Sequence, residues 1–133
     1  MAAADFNRDG LMDIASISIN GVGIFLNSAS GFGSPTYFAA ETAIESIAAT
    51  DFNRDGAPDL AVVNRVAGQI SILLGNGQGN FSAAQSYAVG GNPFNFTFAD
   101  FNADGNIDIA VPLYTRATVA TLDIIGNKIV LQD

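Results

Sequence analysis

Apolar and polar positions along this chain alternate in short runs, and few stretches carry the 3.6-residue period of an amphipathic helix. Asp13–Ile19, Asp59–Asn64 and Asp108–Leu113 read DIASISI, DLAVVN and DIAVPL, β-branched and mostly apolar runs of strand length. Shorter extended runs lie ahead of the second and third of these, IESIAATDF and FNFTFADF, and further strands follow the first and second at Gly23–Asn27 and Gln69–Leu74. Only Glu41–Thr50 offers the pattern of a helical turn. Its counterpart NPFNFTFAD is plainly extended, so it too is assigned to a strand. The pattern predicts an all-β chain.

The strands are spaced around three copies of one nine-residue stretch, DFNRDGLMD at 5–13, DFNRDGAPD at 51–59 and DFNADGNID at 100–108, which begin 46 and 49 residues apart. A period of this length belongs to repeat architectures, propeller blades among them. Each unit reads as four strands: one before the loop, one after it, one ending in Leu-Asn or Leu-Gly, and one around a Tyr. The predicted units are a first blade over about 1–42, a second over about 43–91 and a third over about 92–133. The third lacks the Gly-Phe turn of GFGSPTYFAA and GQGNFSAAQSYAVGG, so its outer strands are expected to be degenerate or to form a cap.

Each loop has an oxygen-bearing side chain at positions 1, 3, 5 and 9 and a glycine at position 6, where the backbone must turn sharply. Calcium takes six to eight hard oxygens, and a short loop supplies them when alternate side chains point inward. The candidate ligands are Asp5, Asn7, Asp9, Asp13 and the Leu11 carbonyl; Asp51, Asn53, Asp55, Asp59 and the Ala57 carbonyl; and Asp100, Asn102, Asp104, Asp108 and the Asn106 carbonyl. Three Ca2+ sites are therefore expected, with bidentate binding by the last Asp or a water completing each shell. Asx turns and Asp-Gly hairpins also produce such patterns, but a turn gives no reason to gather three carboxylates three times over. An EF-hand loop shares the glycine but needs a Glu at position 12 and flanking helices; position 12 here is Ser16, Val62 and Val111, and strands follow.

The DxNxDGxxD loop followed by Ile-Ala or Leu-Ala, with GFGSP or GNFSA between loops, resembles the FG-GAP or VCBS repeats of integrin-α-type β-propellers. The same repeat occurs in secreted bacterial proteins and in some fungal lectins. The resemblance covers nearly the whole chain and implies four-stranded blades with calcium in the hairpin between the first two strands. Asn7, Asn53 and Asn102 stand where the family often has Asp, which implies modest calcium affinity. Three blades are fewer than the four to eight that close a propeller. Either the chain is a piece of a larger ring, or two copies form a homodimer with six blades.

Composition narrows the functional classes. Nine of the thirteen acids lie in the loops, and one Ca2+ per loop would bring the formal charge from −8 to −2. Nucleic acid is not expected as a partner, because Arg8, Arg54, Arg65, Arg116 and Lys128 are scattered. The absence of His and Cys removes a Ser-His-Asp triad, cysteine nucleophiles and disulfides. No apolar run is long enough for a membrane span, and MAAAD has neither the basic nor the apolar region of a signal sequence. Weak calcium loops suit an extracellular or cell-surface setting, where calcium is millimolar.

The leading expectation is a non-enzymatic calcium-binding module for adhesion or for a protein or glycan ligand. The alternatives are a propeller-type lectin and a fragment of a polysaccharide-degrading enzyme. The last would have to work with Glu41, Glu45, Asp123 and Asp133, the acids outside the loops. Phe6, Phe52 and Phe101, at position 2 of each loop, are read as packing between blades rather than as an exposed aromatic ring. Arg8 and Arg54, at position 4, are read as solvated. Tyr37 and Tyr87 are read as one repeat position, and Asn80 and Asn95 open triplets of the glycosylation type.

Overall fold

A computed structural model describes residues 1–40, 43–114, 118–125 and 128–132, with side chains as far as Leu122. It contains twelve strands: β1 (Ala2–Ala4), β2 (Asp13–Ser18), β3 (Gly21–Phe25), β4 (Thr36–Phe38), β5 (Ile44–Thr50), β6 (Asp59–Asn64), β7 (Gln69–Leu73), β8 (Gln85–Ala88), β9 (Thr97–Ala99), β10 (Asp108–Leu113), β11 (Thr118–Ile125) and β12 (Lys128–Gln132). They form three antiparallel sheets, each with its strands in sequence order: β1 to β4, β5 to β8 and β9 to β12. This is the arrangement of propeller blades, and each is called a blade below. Among the described residues no helix is long and apolar enough to cross a membrane.

Alternation along each strand gives a blade two different faces. In β6, which is buried throughout, Leu60 and Val62 join a core with Phe6, Ala15, Val22 and Ile24 of blade 1. Ala61 and Val63 point the other way, into a core with Ile109, Val111 and Leu122 of blade 3. The molecule therefore has no single centre. Its core consists of two layers, one at each blade junction, as expected when each repeat can bury its apolar face only against a neighbour.

The loop phenylalanines show the consequence. Phe6 is 1% exposed and meets Phe81 of blade 2 edge-on at 5.4 Å, and Phe52 is 2% exposed and meets Phe98 of blade 3 at 5.9 Å. Phe101, on the last of the three blades, is 53% exposed. The expected packing between blades thus holds at two of the three positions. Residues of blade 3 are tied to blade 2 as well: Ser46 Oγ donates to Asn95 Oδ1 at 2.8 Å, and the Arg65 guanidinium lies 4.2 Å from the centroid of the Phe94 ring.

One detail differs from the sequence reading. Tyr37 pairs with Gly23, whereas Tyr87 pairs with Ile70, the partner of Val63. Val22, the repeat counterpart of Ile70, pairs instead with Phe38, so the two tyrosines occupy opposite faces and share no position. The offset lies beyond the turns: Tyr37 stands four residues after Gly33, whose N–H closes on Leu26 O, and Tyr87 five after Ser82, whose N–H closes on Leu74 O. In blade 3, β11 and β12 pair from Ile125↔Lys128 onward, without the long Gly-Phe turn, as expected from the sequence.

Candidate metal centre

The three loops fold alike down to individual hydrogen bonds. The position-1 carboxylate accepts two amides: Asp5 Oδ1 and Oδ2 take Asp9 N–H at 3.0 Å and Gly10 N–H at 2.8 Å. The same pairs recur at Asp51, from Asp55 and Gly56, and at Asp100, from Asp104 and Gly105. The position-3 oxygen, of Asn7, Asn53 or Asn102, accepts the position-5 amide at 3.2, 3.0 and 2.9 Å. The asparagine nitrogen donates back to Oδ2 of Asp9, Asp55 or Asp104. The other oxygen of that Asp accepts the amide of Leu11, Ala57 or Asn106 at position 7.

Glycine at position 6 has φ of 88°, 85° and 86°, a left-handed conformation that a side chain would strain. Position 4 is left-handed too, although it is not glycine: φ is 59° at Arg8 and 61° at both Arg54 and Ala103. Such a residue costs roughly 1 kcal/mol. Threefold repetition of that strain marks the loop shape as something the chain maintains at a cost.

The position-9 carboxylates occupy a different place. Asp13 and Asp59 are 0% exposed and Asp108 is 1% exposed, behind the loop and inside the blade. Each accepts the position-2 amide, from Phe6, Phe52 or Phe101, through Oδ2. Asp13 Oδ1 also takes Asn27 N–H at 2.7 Å, and Asp59 Oδ1 takes Gly75 N–H at 2.8 Å. Asp108 Oδ1 is buried with no hydrogen-bond partner. The structure thus brings positions 1, 3 and 5 together at the surface and sets position 9 on the inner side as a latch between loop and blade. Among the described residues no three acidic side chains are grouped to hold a metal. Each loop groups two carboxylates with an asparagine between them.

The donor chemistry fits calcium. All of these side-chain ligands are hard oxygens, and each carboxylate or amide oxygen keeps lone-pair capacity beyond the amide that it accepts. At position 7, Leu11 is exposed, Asn106 half-buried and Ala57 buried.

Electrostatics separates the inner carboxylates from the outer ones. Burial pushes the Asp59 carboxyl up to about 6, against the lowering influence of the Gly75, Phe52 and Asn53 amides, and the nearby Asp55 charge adds to the rise. The solvent-facing Asp104 is held below the usual carboxylate range, first by the Asn106 amide and also by Asn102 and the Arg54 charge. A group whose pKa is raised in the folded state contributes stability that is present below its ordinary value of 3.8 and is lost as pH rises through about 6. Calcium-free protein should therefore gain about 1 kcal/mol between pH 7 and pH 5 from this group. Urea unfolding at the two pH values measures the gain, and Asp59→Asn should remove it.

The arginines at position 4 are exposed, as the sequence suggests, and they also reach across the blade junction. Arg8 Nε donates to Gly56 O at 3.1 Å and an Arg8 terminal nitrogen donates to Asp55 O at 3.3 Å, both in the loop of blade 2. A Cβ built on Gly105 would lie 3.5 Å from the Arg54 guanidinium, which places Arg54 beside the loop of blade 3. Ala103 has no such arm. The signal was present in the sequence as Arg, Arg, Ala at one repeat position, but its meaning depended on how the blades stack.

Three four-stranded sheets stacked through their loops define a chain of propeller-type blades. The FG-GAP-like repeat family matches over residues 5–62 and again over 51–111, and the chain belongs to that family. Repeats of this family often bind Ca2+. No curated protein matches the chain.

Proposed function

We propose that the chain is a non-enzymatic, calcium-binding propeller-type module that acts in extracellular adhesion or ligand binding, with one Ca2+ stiffening each blade hairpin. The observation that carries this reading is the threefold recurrence of one strained loop that gathers two carboxylates and an amide oxygen. Ca2+ would be held at the surface by Asp5, Asn7, Asp9 and the Leu11 carbonyl in blade 1, by Asp51, Asn53, Asp55 and the Ala57 carbonyl in blade 2, and by Asp100, Asn102, Asp104 and the Asn106 carbonyl in blade 3, with the buried Asp13, Asp59 and Asp108 bracing each loop from behind. When bound, the ion neutralises carboxylates that the loop holds close together at a Coulomb cost. Its role is structural, and the partner is a protein or glycan that reads the surface so stiffened. An extracellular or cell-surface location follows from the millimolar calcium that weak loops need.

Calcium that binds only the folded chain stabilises it by about 1–3 kcal/mol per site at concentrations ten to a hundred times above Kd. Moving the protein from millimolar calcium to excess chelator should therefore lower Tm by about 10 °C or more. An unchanged Tm would remove the calcium assignment.

One observation favours the lectin reading as a second possibility. Phe94 and Tyr114 pack edge-on at 5.9 Å, and both line an apolar hollow with Asn95, Pro112 and Val119. Exposed rings beside an amide suit the apolar face and hydroxyls of a sugar. Binding on a glycan array in calcium, lost in Tyr114→Ala, would support it, and a blank array would count against it. Among the acids that an enzyme reading would use, Glu45 lies 3.9 Å from Arg65 in an exposed ion pair. Glu41, Asp133 and the Asp123 side chain lie outside the described residues.

A further inference from the structure

The outward flanks of blades 1 and 3 carry the same repeat positions that form the two buried junctions. On blade 2, the face toward blade 3 consists of Phe52, Ala61, Val63, Ile70 and Ile72, all buried. The strand registers place Phe101, Ala110, Pro112, Val119 and Thr121 at those positions on blade 3. There Phe101, Pro112 and Val119 are exposed and Ala110 and Thr121 only half-buried.

On the opposite side, blade 2 presents Ile47, Leu60, Val62, Leu73 and Phe81 to blade 1. The counterparts on blade 1 are Met1, Ile14, Ser16, Phe25 and Phe32. These five line one apolar hollow. Phe32 matches Phe81 because each directly precedes the residue whose amide closes the turn, Gly33 onto Leu26 O and Ser82 onto Leu74 O. Phe81 is the ring that receives Phe6, while Phe32 is 52% exposed.

We propose that these flanks mate between two copies of the chain: blade 3 of each packs on blade 1 of the other, Phe101 enters the Ile14, Phe25 and Phe32 hollow, and six blades close a ring. The occupant is a second copy because the interface continues the two junctions already built within the chain, with the same positions on both sides. Closure also removes both open flanks at once, which an open stack does not. One contact is missing from the new junction. Arg8 clasps the next loop through two carbonyls, but Ala103 stands at that position on blade 3, so the intermolecular junction is weaker than the internal ones and forms in a concentration-dependent manner. Ala103 already has the backbone conformation of Arg8, φ 61° against 59°. Ala103→Arg therefore adds the clasp without new backbone strain.

Sedimentation equilibrium in millimolar calcium, over a wide concentration range, tests the proposal. The wild-type chain should approach twice its 13.7 kDa mass. Phe101→Ser and Phe32→Ser should each weaken association roughly thirtyfold or more, with unchanged circular dichroism because both side chains are exposed in the single chain. Ala103→Arg should tighten it roughly tenfold. Single-chain mass in both the wild type and Ala103→Arg would overturn the proposal. So would a dimer indifferent to the two phenylalanine variants, or a mass growing beyond two chains.

Discussion

Replacing Phe52 with Ala should cost about 3–5 kcal/mol of folding free energy, the range for a large aromatic removed from a packed core. Phe52 is 2% exposed, lies in the layer between blades 2 and 3, and meets Phe98 edge-on. Its loss empties the junction on which blade 3 depends for burial, so the damage spreads beyond one cavity. For a domain of this size the expected drop in Tm is about 10–15 °C. The same substitution at Phe101, at the same loop position but 53% exposed, should change the stability of the single chain by less than about 0.5 kcal/mol. Thermal unfolding of the two variants side by side measures the difference. Equal losses would mean that the blades do not stack in this order.

The second large effect belongs to Asp59. Its carboxylate is fully buried and accepts the Phe52 and Gly75 amides, joining the loop before β6 to the turn after β7. Asp59→Ala leaves both donors without this acceptor, which should cost about 2–3 kcal/mol after allowance for relief of the buried charge. Asp108 sits at the same repeat position but accepts only the Phe101 amide, and its Oδ1 is an orphan. In calcium-free buffer Asp108→Asn should therefore change stability by less than about 1 kcal/mol. Urea unfolding checks both, and a loss at Asp108→Asn as large as that at Asp59→Ala would contradict the latch.

Much of this architecture was legible because the repeat announces itself. Strand-length apolar runs after each loop became β2, β6 and β10, and the ambiguous Glu41–Thr50 segment contains β5, as its extended counterpart in the third unit indicated. What was not legible depended on neighbours in space. Phe6, Phe52 and Phe101 are alike in sequence, and only the stacking order exposes the third. Arg8 is exposed, as the sequence suggests, but its acceptors, Gly56 and Asp55, lie 48 and 47 residues away and show only in the fold. Tyr37 and Tyr87 look alike in sequence, but they stand four and five residues beyond the turn closures at Gly33 and Ser82, and one residue moves a strand side chain to the opposite face.

The candidate sites divide in the same way. The pattern of oxygens at positions 1, 3 and 5 translated directly into loop structure, because each side chain bonds amides within five residues. The inner placement of Asp13 and Asp59 was not visible, since it depends on amides of residues 14 and 16 positions further on.

The most direct test is the stoichiometry of calcium binding by the purified chain, measured by calorimetric titration after exhaustive removal of metal. The account predicts saturation at three Ca2+ per chain, falling to two when Asp51 and Asp55 are both replaced with Asn in the middle loop. No heat of binding and no uptake of calcium by dialysis at millimolar concentration would contradict it.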